Sequence, residues 1–224
     1  MIAVLIITDG RVNVLKRTIA SFEEQVSGPI IERFIYDDSG NQGLRDLIQK
    51  RHPNYSLIGH PTGERQGFGG AIRTAWSALR AESIADFVFH LEDDFTFNRP
   101  VDLEDFMGVL KQRPALAQLA CVRQAWNPAE KEAGGVRELH PDWYTSHLDR
   151  HGRSWLEQGH FFTTNPSLYR RQLIDMFDWP DTDQSEGFFS SMCRQGGFSF
   201  GYWGEMSDEP LVHHIGEHRY GIGY

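Results

Sequence analysis

The 224-residue chain lacks most of the features that mark secreted, disulfide-stabilised or membrane-spanning proteins. It contains only two cysteines, Cys121 and Cys193, and no C-x-x-C pattern, which excludes a disulfide framework and a cysteine-based zinc site. No apolar run reaches the length of a membrane span. The first apolar run, residues 2–7, is too short for a signal peptide and has no basic residues before it. We therefore expect a cytoplasmic protein with no membrane span.

Basic residues are also scarce. The chain has 22 Lys and Arg against 31 Asp and Glu, a formal net charge of −9, and no basic tail. Because the phosphate backbone of nucleic acids selects basic surfaces, this balance argues against nucleic acid as a partner. It is compatible with a single nucleotide, which needs only a local cation or a metal ion.

Three consecutive carboxylates stand out against this background. Residues 87–91 form a short apolar run of the kind expected in a buried central strand, and Glu92, Asp93 and Asp94 follow it directly. Hard oxygen ligands at the end of a strand are typical of a Mg²⁺ or Mn²⁺ site that substrate phosphates complete. The alternative is an acidic exit from the strand that binds nothing.

The first half of the chain alternates predicted strands with predicted helices. This alternation predicts an α/β fold with a Rossmann-like, mostly parallel central sheet and helices on both faces. With no repeat or linker, we expect one domain over residues 1–224. The predicted strands are 2–7, 33–36, 55–58, 87–91 and 116–122, and the predicted helices begin at Asn13 as N-cap, near 44, at Ala71 and at Asp102.

The second half is less regular. Residues 124–153 are polar with scattered aromatics, which we interpret as a long loop over the active face. Asn165-Pro166 predicts a helix start with proline at its first position. A helix is predicted from Ser185 to Gly196, then a strand over 198–203 and a tail that contains several histidines.

The order of these motifs resembles that of GT-A-fold glycosyltransferases, in particular the family 2 nucleotide-sugar transferases. The resemblance covers nearly the whole chain. Its motifs here are Asp37-Asp38-Ser39, Arg65-x-Gly67-x-Gly69-Gly70, Glu92-Asp93-Asp94, Asn165-Pro-Ser-Leu-Tyr-Arg-Arg171, Glu186-x₆-Cys193-Arg194-x-Gly196 and His213-His214-Ile-Gly216.

The resemblance implies a donor site in residues 1–100. Asp38, or alternatively Asp37, would accept the N–H of the base, and Arg65 would reach the base or the diphosphate. Asp93 would contact the ribose or the donor sugar. The remaining donor-site residues would line the nucleoside pocket or allow close backbone approach: Thr8, Gly10, Arg11, Gly67, Gly69 and Gly70.

The resemblance also implies a metal site and a catalytic base. Asp94 would bind Mn²⁺ or Mg²⁺, Glu92 would act through water, and His213 or His214 would complete the metal shell. Glu186 is the expected base of an inverting transfer. Asp183 is the alternative, because the chain has only one acid, in Ser185-Glu186-Gly187, where the family usually has two.

The expected function is therefore metal-dependent transfer of a sugar from a nucleotide-diphosphate sugar, a UDP-sugar first, to an acceptor hydroxyl. Residues 101–224 would bind the acceptor, a sugar or protein hydroxyl. The alternatives are a sugar nucleotidyltransferase and a non-catalytic module that binds a nucleotide sugar.

Overall fold

The computed structural model describes residues 1–60 and 63–216. Each strand and helix predicted for the first half of the chain is present, with boundaries shifted by a few residues. The strands are β1 (Ile2–Thr8), β2 (Val26–Ser27), β3 (Ile30–Asp37), β4 (Ser56–Gly59), β5 (Phe87–Glu92), β6 (Phe95–Phe97), β7 (Val101–Asp102), β8 (Leu116–Ala120), β9 (Thr145–Leu148), β10 (Ser154–Gln158), β11 (Ser167–Arg170), β12 (Ser199–Trp203) and β13 (Val212–His214). The helices are α1 (Val12–Gln25), α2 (Gln42–Arg51), α3 (Gly67–Glu82), α4 (Leu103–Gln112), α5 (Pro128–Ala133), α6 (Arg171–Met176) and α7 (Ser185–Gln195).

In the described part of the chain, nine strands form one mixed sheet in the order β4-β3-β1-β5-β11-β8-β12-β10-β9. Strands β4, β3, β1 and β5 run parallel, so their carboxyl ends meet at one edge. There Thr8 lies beside Asp37, and Ile7 lies beside Glu92. This is the edge at which open α/β sheets bind ligands.

Helices cover both faces of the sheet, as predicted. Alternate side chains of β1 point to opposite faces, so Val4 packs with Phe22 of α1 while Leu5 packs with Trp76 of α3. All residues of β1 are buried. The first strand is therefore apolar throughout because it has a helix layer on each side.

The predicted helix start at Asn165-Pro166 is wrong. Residues 167–170 form strand β11, which pairs antiparallel with both β5 and β8, and the helix begins only at Arg171. Leu168 and Tyr169 are both fully buried and belong to different sides of the sheet. Neighbouring residues that point to opposite faces fit a strand and not a helix.

Two helix starts can be compared with their predicted caps. Asn13 is not the N-cap of α1, because the helix begins at Val12 and the carbonyl of Arg11 accepts the N–H of Leu15 at 2.9 Å. The predicted cap of α4 is confirmed: the Asp102 carboxylate accepts the N–H of Glu104 at 2.9 Å.

The segment predicted as a long loop has more structure than expected. It contains α5, a short 3₁₀ turn and β9, which forms an antiparallel hairpin with β10 at the edge of the sheet. Within residues 1–60 and 63–216, no helix combines the length and the hydropathy needed to cross a bilayer.

Candidate functional site

Asp93 is the most enclosed of the three consecutive acids. Its Oδ2 accepts the Thr8 hydroxyl at 2.5 Å, and its backbone carbonyl accepts the Thr18 hydroxyl at 2.5 Å. Burial raises the pKa of Asp93 to about 7, although Arg11 and Thr8 favour the ionised form. Thr8 therefore supports Asp93; the place in the nucleoside pocket that the resemblance implies for Thr8 stays a prediction.

Arg11 lies across three carboxylates. Its Nε is 2.9 Å from Asp9 Oδ1, its Nη1 is 2.9 Å from Asp94 Oδ2, and its Nη2 contacts Asp93. This guanidinium neutralises part of a buried negative cluster. The sequence placed Arg11 in the donor site but gave no sign that it pairs with the acids after β5.

His214, and not His213, is the histidine that reaches Asp94. Strand β13 pairs with β6 so that His214 lies opposite Phe95, and its Nε2 is 3.3 Å from Asp94 Oδ2. The imidazole stacks on Phe95, with ring centroids 4.6 Å apart, and contacts Trp126 at a tilt of 34°, with ring centroids 3.9 Å apart. His213 is exposed, because side chains alternate along the strand.

The two oxygens of Asp94 differ in their surroundings. Burial raises the pKa of Asp94, but His214 and Arg11 outweigh burial, and the pKa lies below its ordinary value. Both partners contact Oδ2, whereas the buried Oδ1 has no hydrogen-bond partner among the described residues. A side chain at Gly216 would collide with this carboxylate, so the tail passes it as bare backbone.

Glu92 and Glu186 lie next to each other. Thr164 holds Glu186: its N–H and its hydroxyl donate to Glu186 Oε1 at 2.8 and 2.9 Å. Burial raises the pKa of both acids, and for Glu92 the charges of Asp94 and Glu186 raise it further. No sequence pattern identified Thr164.

The two acids after β3 have different partners. Asp37 is enclosed by its own turn, where Ser39 donates from its N–H at 3.1 Å and its hydroxyl at 3.0 Å, and by Arg45. Asp38 instead accepts the N–H groups of Gln66 and Gly67 at 2.7 and 2.8 Å. Asp38 therefore fixes the start of α3. Burial is the main reason that its pKa is raised.

Arg65 lies between the ends of β1 and β3. Its Nε is 3.8 Å from Asp38 Oδ2, its Nη2 is 3.6 Å from Asp9 Oδ2, and about half of its side chain is exposed. Of the two arginines predicted in the donor site, Arg65 is therefore more exposed to solvent than Arg11.

Two of the predicted glycines are required by close backbone packing. Gly10 has a φ of +89°, and a Cβ there would lie 2.6 Å from Ser39 Cβ. A Cβ at Gly70 would lie 2.6 Å from Gln66 Cβ, whereas a Cβ at Gly69 would meet nothing closer than 3.7 Å. The absence of a side chain at Gly69 therefore leaves space and does not relieve a clash.

Asp183 lies apart from the other predicted acids. It is exposed, and it lines a cleft of about 250 Å³ between the first turn of α3 and the residues before α7. We call this the glycine cleft; its lining residues are Gln66, Gly67, Phe68, Gly69, Gly70, Arg73, Asp181, Thr182, Asp183 and Ser185.

The described residues contain no group of three or more His, Cys, Asp or Glu side chains already placed to hold a metal ion. Asp94 and His214 supply two donor groups of the predicted set, and Glu92 lies beside them. The structure thus brings together Thr8, Arg11, Glu92, Asp93, Asp94, Glu186 and His214.

Comparison with known proteins gives a family and a fold. The model of glycosyl transferase family 2 matches residues 3–177. The crystal structure of residues 1–349 of S. aureus TarS in complex with UDP-GlcNAc is similar, at 14% identity and a TM-score of 0.62, covering 99% of this chain and 60% of the TarS chain. A second TarS structure matches with a TM-score of 0.59 at 14% identity, covering 95% of this chain and 59% of that one.

This chain therefore spans about three fifths of the TarS chains it matches. The likeness shows a shared GT-A fold. A comparison with curated proteins found no match.

Proposed function

This chain belongs to glycosyl transferase family 2, and we propose that it transfers a sugar from a UDP-sugar to an acceptor hydroxyl. One observation carries the proposal: the acids after β5, the Asp38–Arg65 pair and Glu186 converge on one end of a family 2 fold. The UDP-GlcNAc in the similar TarS structure supports uridine as the base of the donor.

In this proposal, residues 1–100 bind the donor and residues 101–224 bind the acceptor. Asp38 is the better candidate for the base, because the half-exposed Arg65 lies 3.8 Å from its Oδ2, whereas Asp37 is fully buried within its own turn. Arg65 is half-exposed beside Asp38 and is available to a base or a diphosphate. Asp93, held by Thr8 and Arg11, would accept hydrogen bonds from the ribose or the sugar.

A divalent cation, Mn²⁺ or Mg²⁺, is part of the proposal. Asp94 and His214 fit such an ion in their chemistry, since they offer carboxylate oxygen and imidazole nitrogen, and the buried Asp94 Oδ1 has no other partner among the described residues. Glu92 would act through water. When bound, the ion would neutralise charge that develops on the diphosphate leaving group.

Glu186 is the proposed catalytic base. The acceptor oxygen forms a bond to the anomeric carbon while the bond from that carbon to the diphosphate oxygen breaks. The electron pair leaves with the diphosphate, and the acceptor proton goes to Glu186. A raised pKa makes this carboxylate a stronger base, and the two hydrogen bonds from Thr164 fix its position. Attack opposite the leaving group inverts the anomeric configuration.

The test is binding and turnover of a nucleotide-sugar panel. We expect UDP-GlcNAc and UDP to bind in calorimetry more tightly than GDP- or dTDP-sugars, and Mn²⁺ to strengthen that binding. Slow release of free sugar, with water as acceptor, is expected by NMR. Binding without any sugar release would indicate a non-catalytic module. Binding of no nucleotide sugar, with or without Mn²⁺, would contradict the proposal.

A further inference from the structure

The backbone of His214 needs a hydrogen-bond partner that β6 cannot supply. Within the described residues, β13 pairs with one strand only, β6. The N–H of Ile215 donates to the Asp94 carbonyl at 2.8 Å, and the N–H of Asn98 donates to the Leu211 carbonyl at 2.9 Å. Because backbone hydrogen bonds alternate along an antiparallel strand, the N–H and C=O of His214 point away from β6. These two groups therefore require a partner on the outer side of β13.

The side chain of Gln124 is that partner. Its Oε1 accepts the N–H of His214 at 2.9 Å, and its Nε2 donates to the carbonyl of His214 at 2.9 Å. Two residues earlier on β13, a backbone group makes the corresponding contact, since the carbonyl of Val122 accepts the N–H of Val212 at 3.1 Å. A side-chain amide has a donor and an acceptor, as a peptide group does. Gln124 thus extends the pairing of β13 as far as His214.

The same segment of the chain also holds the imidazole ring. The ring of His214 lies between Phe95 and Trp126, and its Nε2 is 3.3 Å from Asp94 Oδ2. Gln124 and Trp126 both belong to the segment between β8 and α5. The two aromatic rings restrict the imidazole, while Gln124 restricts the backbone that carries it. Together they fix the direction in which Nε2 points.

Gln124 is itself held in place from behind. The Nη1 atom of Arg123 donates to the Gln124 carbonyl at 3.0 Å, and the Arg123 guanidinium donates to Glu130 at 2.6 and 3.0 Å. This ion pair is largely buried, with 12% and 6% of the two side chains exposed. Both polar atoms of the Gln124 side chain are engaged by His214. Gln124 therefore acts through His214 and is not a metal ligand itself.

We propose that Gln124 is a positioning residue that holds His214 for the divalent cation beside Asp94. This rests on the proposed function, and it adds a residue that lies outside the motifs of the family resemblance. A ligand that is already oriented binds a metal ion without the cost of being ordered. Removing the partners that orient metal ligands typically weakens metal binding by about 10–100-fold.

Gln124→Met is the central test, because methionine has nearly the length of glutamine but no N–H and only a weak acceptor. The measurement is UDP calorimetry over a series of Mn²⁺ concentrations. We expect metal-free UDP affinity to stay within about twofold of the wild type, and the Mn²⁺ concentration that gives half of the metal-dependent gain to rise about tenfold. Gln124→Asn keeps the amide but is one methylene group shorter, and it should change the Mn²⁺ requirement in the same direction.

Gln158→Met is the matched control. The Nε2 of Gln158 donates to the Phe161 carbonyl at 2.6 Å, and its Oε1 accepts the N–H groups of His160 and Phe161 at 2.6 and 3.0 Å. Gln158 is thus a second side-chain amide that bonds backbone groups, and its partners do not include His214. The variant should lose stability in urea unfolding, as Gln124→Met does, and keep the Mn²⁺ requirement of the wild type.

Two further measurements separate action through His214 from a general structural effect. In a His214→Gln background, adding Gln124→Met should change UDP affinity no further, because the group that Gln124 positions is already gone. In metal-free protein, ring currents of Phe95 and Trp126 shift the NMR resonances of the His214 ring. These resonances should move in Gln124→Met and stay in place in Gln158→Met.

Four results would overturn the inference. They are a wild-type Mn²⁺ requirement in Gln124→Met, an equal rise in Gln158→Met, a further loss when Gln124→Met is added to His214→Gln, and unmoved His214 ring resonances in Gln124→Met. If Mn²⁺ does not change the UDP affinity of the wild type, the metal part of the proposed function fails, and the inference fails with it. If His214→Gln abolishes the Mn²⁺ effect and Gln124→Met leaves it intact, the inference alone fails.

Discussion

At the scale of single residues, the positive charge of Arg11 reduces the repulsion between the three carboxylates around it. The sequence shows Asp9, Asp93 and Asp94, but only the fold reveals that one guanidinium pairs with all of them. Arg11→Gln leaves buried negative charge uncompensated, so we expect a loss of about 3 kcal/mol in unfolding free energy without metal. Added Mn²⁺ should restore part of it, giving a larger thermal shift than in the wild type.

Arg33→Gln is the control for Arg11. Arg33 pairs with Glu23 at 3.5 Å, and both side chains are partly exposed to solvent, so this pair should contribute little to stability. The variant should change stability by less than about 1 kcal/mol and leave the Mn²⁺ shift unaltered. Equal stability and equal Mn²⁺ shifts in Arg11→Gln and wild type would contradict a charge-balancing role for Arg11.

The choice between two adjacent histidines is also a residue-scale prediction. His214 contacts Asp94, whereas His213 is exposed on the other side of β13. His214→Gln should abolish the Mn²⁺-dependent part of UDP affinity, because it removes an imidazole nitrogen donor. His213→Gln should keep it. The measurement is UDP calorimetry with and without Mn²⁺, and equal metal dependence in both variants would rule out His214 as a ligand.

These residues also show how far sequence patterns reach into the site. The triplet 92–94 could be located because its members are adjacent and follow an apolar run. The choice of His214 over His213 requires the register of β13 on β6, which pairs residues more than 100 positions apart. Thr164 and Arg11 act through contacts across the fold, so no local pattern identifies their partners.

At the scale of secondary structure, the chain was predictable where local patterns and tertiary context agree. The alternating patterns in the first half predict its strands and helices correctly, because the residues that define each strand or helix are close together in the sequence. The sequence predicts a helix where β11 lies, since Asn-Pro followed by apolar residues is compatible with a helix and with a strand. The sheet resolves the ambiguity: β11 fills the gap between β5 and β8 and must be extended to pair with both.

Helix α5 links the second half of the chain to the site, and one ion pair holds it. The Glu130 carboxylate is buried. It accepts two hydrogen bonds from the Arg123 guanidinium, at 2.6 and 3.0 Å, and one from the N–H of Trp126, at 2.8 Å. Trp126 in turn contacts the ring of His214. The position of His214 thus depends on a carboxylate far from it in the sequence.

We predict that Glu130→Gln destabilises the protein in a pH-dependent way. Burial raises the pKa of Glu130, but Arg123 and the backbone donors outweigh burial and the pKa is lowered. Because the pKa of Glu130 is lower in the folded protein than in the unfolded chain, where it is near 4.3, the ionised carboxylate stabilises the fold at pH values above 4.3. That stability is lost as the pH falls through the pKa of the folded state. The variant should lose about 3 kcal/mol at pH 7 and less at pH 3.

Urea unfolding at the two pH values measures this difference. Asp178→Asn serves as control, since its pair with Arg80 is largely exposed and should contribute little at either pH. A Glu130→Gln deficit that is the same at pH 7 and pH 3 would mean that the ionised pair is not its cause.

At the scale of the whole molecule, the two halves of the sheet meet where the chemistry would occur. The donor-side acids end parallel strands of residues 1–100, whereas Glu186 and Thr164 come from residues 101–224. The proposed inverting transfer needs this arrangement, because its base must face the sugar from the side opposite the diphosphate. The two acids left open by the sequence, Asp183 and Glu186, now differ in surroundings: one is exposed in the glycine cleft, and the other is half-buried beside Glu92.

We predict that Glu186 is the base and that Asp183 is not. Glu186→Gln keeps the side-chain size and can still contact Thr164, but it cannot accept a proton. Release of sugar from UDP-GlcNAc should therefore fall by about 10²–10⁴, while UDP-GlcNAc affinity stays within about twofold. Asp183→Asn should leave the rate at saturating donor near that of the wild type. Early NMR spectra of the released sugar should show the anomer opposite to that of the donor. If Asp183→Asn abolishes turnover and Glu186→Gln does not, Asp183 is the base; if the anomeric configuration is retained, direct displacement with a single base is wrong for this protein.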